Sequence, residues 1–272
     1  MIASPGFSST FIDRWFSRIK PGIALFVVMT LGGCQPSSSD GREFLQVHAA
    51  SSLTNAFEQL AQAFENAHSG IDVSLVFSGS QILRLQIEQG ASADVLAMAN
   101  QLHTEALVKA GLISKPQVFA HNELALIVPN DNPSGIESYA DLPRAKRLVL
   151  GTNQVPVGLY THQMLSKHGA GQEDQFLDRV LDGVVSRESN TRLVRAKVEL
   201  GEADAAIVYR TDALGSDRVR SIPIPAEMNV QAQYFISGLP ASERQQSIRD
   251  WIAFILSDEG QAILKRHGFV EG

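Results

Sequence analysis

From Phe44 onward the apolar positions switch repeatedly between two periods. Phe44-Leu45-Gln46-Val47-His48-Ala49 alternates as a short strand does, while Leu53, Phe57, Leu60, Ala61 and Phe64 fall on one helical face. Val73 to Phe77 predicts a second strand. Gln81 to Gln89 predicts a helix with Ile82, Leu85 and Ile87 apolar, and Gly90 suits the position just past its end. Asp94 to Met98 reads as a third strand, Thr104 to Ala110 as a helix closed by Gly111, and Glu123 to Val128 as a strand stopped by Pro129. Asn130 to Gly135 carries loop residues only. The pattern then restarts. Leu148 to Leu150 is a strand, Gly158 to Lys167 a helix, Val184-Val185 a strand, Thr191 to Leu200 a helix ended by Gly201, and Ala205 to Tyr209 a strand of the fully buried type. Ser242 to His267 holds two helices, the first carrying Ile248, Trp251, Ile252 and Ile255. Strand and helix in alternation predict α/β sheets with helices on both faces, and the restart predicts two lobes.

The first forty residues follow a different logic. Arg14, Arg18 and Lys20 form a basic stretch, and Gly22 to Leu31 is an apolar run of about ten residues, the length of a signal-peptide core and well short of the ~20 a membrane span needs. Leu31-Gly32-Gly33-Cys34 resembles the lipobox of bacterial lipoproteins, in which cleavage precedes the cysteine and the cysteine carries the lipid. The alternative is an ordinary signal peptide with an incidental cysteine. The lipobox reading makes residues 1–33 a signal peptide, Cys34 the lipidation site, and 34–42, rich in Ser, a flexible spacer.

Composition narrows the function. With 272 residues, 44% hydrophobic and 19% charged, the chain is neither disordered nor fibrous and is long enough for a sizeable core. A net charge of −6 argues against sequence-independent nucleic-acid binding. A single cysteine excludes an internal disulfide and a multi-cysteine metal site. No Gly-x-Ser-x-Gly elbow, His-Glu-x-x-His helix or phosphate-loop glycine motif is present, and the seven scattered histidines read as surface residues. Catalysis on a two-lobed fold through a cysteine would need one outside the leader. A sensor would need an appended effector domain, for which the pattern leaves no segment.

Four junctions between strand and helix suit an anion. They are Ala49-Ala50-Ser51-Ser52-Leu53-Thr54, Phe77-Ser78-Gly79-Ser80-Gln81, Gly151 to Gly158, and Ser186-Arg187-Glu188-Ser189-Asn190-Thr191. Each places small or hydroxyl residues where a helix begins, and a helix N-terminus exposes unpaired N–H groups and about half a positive charge. In open α/β sheets, ligands bind beyond the carboxyl ends of the strands, where these junctions lie. Ser, Thr and Asn are also the commonest helix caps, so each junction is equally open to a purely structural reading. Tyr209 can likewise be a core aromatic.

Dispersed motifs then resolve the choice. Ala49-Ala50-Ser51-Ser52-Leu53-Thr54-Asn55-Ala56-Phe57, Phe77-Ser78-Gly79-Ser80, Gln86 to Val95, Val155-Pro156-Val157-Gly158-Leu159-Tyr160, Ala206 to Ala213 and Gly260 to Phe269 occur in this order. Together they resemble the periplasmic molybdate-binding proteins of ABC transporters, from about Phe44 to the end. The resemblance implies the type II periplasmic-binding-protein fold: two lobes, each a mixed sheet flanked by helices, with the ligand in the cleft between them. Lobe I would be 43–121 with 231–272, and lobe II 122–230. It also implies five ligand contacts. Ser52 and Ser80 would give hydroxyl and backbone N–H, Val157 and Thr191 a backbone N–H each, and Tyr209 its phenolic hydroxyl. Val157 stands where the family usually has alanine and narrows the pocket by two methyls; Thr191 replaces an aliphatic residue.

Such a cage has no cation of its own. Arg84 and Arg192 lie near, and read as solvated helix faces rather than as sources of long-range attraction. Only charge-assisted hydrogen bonds would replace the ligand's hydration shell. An all-donor cage suits a fully ionised tetrahedral dianion and disfavours protonated phosphate, which needs an acceptor. The expected function is a lipid-anchored extracytoplasmic receptor, monomeric and without catalysis or cofactor. It would hand molybdate, and tungstate with it, to an inner-membrane permease, molybdenum being present only as the bound oxyanion with no protein ligand to the metal. A receptor for sulfate or phosphate is the alternative, and an enzyme on the same fold a more distant one.

Overall fold

The computed structural model describes residues 41–169 and 175–272. Ten strands and nine helices alternate through these residues. In the first part, β1 (Glu43–Ala50) leads through a 3-10 turn (Ser51–Leu53) into α1 (Thr54–Ala67), followed by β2 (Ile71–Ser78), α2 (Ser80–Glu88), β3 (Val95–Met98), α3 (Gln101–Lys109) and β4 (Gln117–Pro129). A second 3-10 segment (Tyr139–Arg144) precedes β5 (Leu148–Gly151), α4 (Pro156–Gly169), α5 (Gln175–Asp182), β6 (Val184–Glu188), α6 (Thr191–Glu199), β7 (Ala205–Tyr209), α7 (Arg210–Leu214) and β8 (Val219–Ile222). The chain ends with β9 (Gln231–Gly238), α8 (Gln245–Leu256), α9 (Asp258–Arg266) and β10 (Val270–Glu271).

The strands run in the order β2-β1-β3-β9-β4-β7-β5-β6, with β8 and β10 also on β4. Both halves are mixed. On one side β1 pairs parallel with β2 and β3, and β9 is antiparallel to β3 and β4. On the other, β5 is parallel to β6 and β7, and β4 is antiparallel to β7 and β8. The strand β4 serves both sheets. Its residues Gln117 to Glu123 pair with β9, and from Leu124 onward it pairs with β7 and β8. This is the two-lobed α/β arrangement that the alternating pattern predicts.

Local sequence explains most elements. On α1, Ala56, Phe57, Leu60, Ala61 and Phe64 are buried, and Phe57 and Phe64 pack edge-on against Trp251 of α8. The helices α2, α3 and α6 each run into a glycine of positive φ (Gly90, Gly111 and Gly201), the left-handed stop that the sequence predicts.

Four differences from the sequence reading have physical causes. Helix α3 begins at Gln101, three residues early, because Asn100 caps it by accepting the His103 N–H; Leu102 faces solvent and breaks the apolar period. Strand β4 starts six residues before Glu123, since His121 and Asn122 interrupt its apolar run without interrupting its backbone pairing. The α5 helix, β8 and β9 are not anticipated. In β9 the buried positions Ala232, Tyr234 and Ile236 do alternate, but the apolar Phe235 between the last two and the buried Ser237 and Gly238 after them blur the signal. Finally, His48 and His103 are buried, not surface residues.

Candidate functional site

All four junctions converge. Beyond the carboxyl ends of β1, β2, β5, β6 and β7 lies a small cavity, and Ser52, Ser80, Val157, Thr191 and Tyr209 all line it. Its wall is otherwise small and neutral, including Gly79, Ala99 and Asn190, with no lysine, arginine or carboxylate.

The hydroxyls come from both lobes. Ser52 sits in the 3-10 turn, and its Oγ is 2.9 Å from the Tyr234 hydroxyl. Ser80 opens α2, and its Oγ accepts the Ala99 N–H at 3.1 Å, which leaves its own proton to donate. Neither serine caps its helix, so the structural reading of these residues does not describe them. Tyr209 ends β7 at 1% exposure, and its hydroxyl is buried close to Tyr234 without a hydrogen bond of normal geometry. Its ring meets Tyr234 edge-on at 5.9 Å. Burial, with Tyr234 beside it, pushes the phenol well above its ordinary value, so it stays a neutral donor.

The other two positions present main chain. Val157 is the second residue of α4 with its side chain fully buried, and a Cβ on Gly158 would lie 2.1 Å from the Thr152 carbonyl oxygen, so the tight turn holding this amide requires glycine there. Thr191 opens α6. Asn190 caps that helix by accepting the Leu193 N–H, leaving the Thr191 amide without an acceptor inside the helix. The Thr191 hydroxyl is committed elsewhere: it donates to Asp212 Oδ2 at 2.9 Å. Asp212 is fully buried, and desolvation raises its pKa despite Arg192 nearby.

Four hydrogen bonds from three side chains tie the rims of the cleft together. Gln81 Nε2 donates to the Ser189 carbonyl at 2.6 Å, His103 Nε2 to the Gln154 carbonyl at 2.8 Å, and Arg192 to both the Ser51 carbonyl at 3.2 Å and Asn55 Oδ1 at 2.8 Å. Arg192 is thus a half-buried strut rather than a solvated helix face, which corrects the sequence reading. Arg84 pairs with Glu88 one turn on, as a surface helix residue does. Gln81, His103, Asn122 and Tyr234 are absent from the sequence-derived site; of these only Tyr234 carried a readable signal, its place in the β9 alternation.

Comparison with known proteins adds a second line of argument to this geometry. Residues 45–270 match the model of the bacterial extracellular solute-binding proteins. The chain belongs to that family. Among its relatives, the molybdate-binding protein ModA of Mycobacterium tuberculosis is 31% identical over 269 residues, covering 95% of this chain and 99% of the relative. The molybdate-binding protein ModA of Escherichia coli is 28% identical over 235 residues, covering 83% of this chain and 88% of that one. The periplasmic molybdate-binding protein of Azotobacter vinelandii superposes with a TM-score of 0.71 at 18% identity, covering 84% of this chain and 99% of that structure, a likeness of fold. In this solute-binding protein no described helix is long and apolar enough to cross a membrane, and no described cluster of His, Cys, Asp and Glu is able to hold a metal ion. The lipobox and Cys34 lie outside the described residues.

Proposed function

We propose that this solute-binding protein captures molybdate, and tungstate with it, between its lobes and delivers it to the membrane permease of an ABC transporter. One observation carries the reading: a fully buried tyrosine hydroxyl without a hydrogen bond of normal geometry, on a residue lining a small neutral cavity walled by hydroxyls and helix-start amides. A buried donor left unpaired costs about 1–3 kcal/mol, and a bound oxyanion removes that cost. Hydrogen bonds to a charged acceptor are roughly twice as strong as neutral ones, so Ser52, Ser80, Tyr209 and the Val157 and Thr191 amides together replace the water an anion gives up. The relatives named as molybdate-binding proteins support the choice of anion.

In this reading the work is selection and closure, with no reaction on the ligand and no cofactor, and molybdenum meets the protein only through its oxygens. Residues 43–121 with 231–272 move against 122–230 about the two chain crossings, and the cleft hydrogen bonds form as the lobes meet. The protein acts as a monomer.

Calorimetric titration tests the assignment. Molybdate is expected to bind at ~1 μM or tighter, about −8 kcal/mol, tungstate comparably, and sulfate at least ~30-fold more weakly, about 2 kcal/mol. Charge is equal among the three, so pocket radius decides. Equal binding of sulfate would replace the molybdate reading with a general oxyanion receptor.

We also propose that Cys34 carries a lipid that tethers the protein outside the cytoplasm. Cys34→Ala is expected to release the chain from the membrane fraction, while a protein starting at Gly41 binds ligand normally. Metabolic labelling with a fatty acid decides the matter, since an unlabelled wild-type chain excludes the lipobox.

A further inference from the structure

Behind Ser52 lies a short buried chain of hydrogen bonds. It begins at Asn122, on β4 next to the point where that strand changes sheets. Asn122 Oδ1 accepts the Glu123 N–H at 2.9 Å, and this sets which way the side-chain amide faces. Its Nδ2 therefore donates, to Thr211 Oγ1 at 2.9 Å and to the Tyr234 hydroxyl oxygen at 3.4 Å. Ser52 Oγ lies 2.9 Å from the Tyr234 hydroxyl, a distance at which either group can donate, and an oxygen already accepting from Asn122 favours the Tyr234 proton on Ser52. Ser52 then accepts from behind, and its own proton is left for the cavity it lines. Asn122 is 1% exposed and Tyr234 0%, so no solvent competes for these protons. Burial also keeps the Tyr234 phenol protonated, far above its ordinary value.

We infer that Asn122 and Tyr234, neither of which lines the cavity, are positioning residues that lock Ser52 as a donor and so set the site's preference for fully ionised oxyanions. The inference rests on the oxyanion reading given above. Ser80 is oriented the same way by the Ala99 amide, so both first-lobe hydroxyls face the ligand as donors. A hydroxyl free to rotate would accept a proton from hydrogen phosphate as readily as it donates to molybdate. The relay removes that freedom.

A double-mutant cycle separates this role from packing, because residues that act through one another do not add. Molybdate and phosphate affinities and melting temperatures are measured for the parent, Ser52→Ala, Tyr234→Phe and the pair. Tyr234→Phe keeps the ring in the core. It is expected to weaken molybdate binding about 5- to 10-fold in the parent and less than about 2-fold once Ser52 is alanine. The molybdate-to-phosphate preference should narrow with it. Asn122→Asp is isosteric, and at pH 8 its ionised carboxylate accepts from Tyr234 and turns the relay round; it should lose more affinity than Tyr234→Phe, again only with Ser52 present. Equal Tyr234→Phe effects in both backgrounds, or an unchanged phosphate preference, overturn the relay. If the parent binds molybdate and Ser52→Ala weakens it while Tyr234→Phe and Asn122→Asp change nothing, the relay alone falls. If the parent ignores molybdate, the oxyanion reading falls and the relay with it.

Discussion

Tyr209→Phe is expected to weaken molybdate binding about 10- to 150-fold while leaving the melting temperature of the empty protein unchanged or slightly raised. A hydrogen bond to a charged group contributes about 1.5–3 kcal/mol, which sets the loss of affinity. The stability expectation has the opposite sign because the hydroxyl is buried without a hydrogen bond of normal geometry, so deleting it relieves a desolvation cost while the ring stays packed. A core tyrosine with no ligand role predicts no change in affinity. Ser80→Ala should show a similar loss of binding together with a loss of stability, since it orphans the Ala99 N–H. Thr191→Val keeps the amide and removes the bond to Asp212, so stability should fall while affinity changes by less than about 1 kcal/mol. Calorimetry and thermal melts on the same three proteins check all of this.

Gly79→Ala is the second large effect. Gly79 has an ordinary φ of −67°, so alanine meets no backbone strain there. Its Cβ would instead stand 2.5 Å from the Ser189 carbonyl oxygen, across the cleft, and as close to the Gln81 side chain that bonds the same oxygen. Something must move, and the neighbour is backbone. Overpacking of this kind costs about 1–3 kcal/mol. In the proposed cycle it falls on the closed form alone, so affinity should drop about 5- to 150-fold while the ligand-free melting temperature barely shifts. Small-angle scattering with and without molybdate reads the closure directly; a variant that closes and binds like the parent refutes the close approach.

The sequence was legible where local physics decides. Strand and helix types from β1 to β7, α5 excepted, follow from period, and the glycine stops of α2, α3 and α6 from conformational freedom. The strand-to-helix junctions were legible because they are local, whereas the five proposed contacts came from the resemblance of ordered motifs, and the structure brings all five to one cavity. What lay hidden is non-local. Nothing in the neighbourhood of Arg192 announces Ser51 and Asn55, which are 141 and 137 residues away. Tyr234 links Asn122 to Ser52 because β9 returns to pair with β4. The resemblance implies a role for the Thr191 amide alone, and nothing local shows where its hydroxyl goes: a buried carboxylate 21 positions further along the chain takes it.

The neutrality of the cavity wall bears on how cargo changes hands. The one ionisable group among its lining residues is Tyr209, held as a phenol far above its ordinary range. In the proposed cycle a dianion enters without displacing or recruiting a proton, so its two charges add in full to a chain that is already net negative. Loaded and empty receptors therefore differ in electrophoretic mobility as well as in shape. The release step asks only that the lobes part: the wall is left in the protonation state it started with, ready for the next ion.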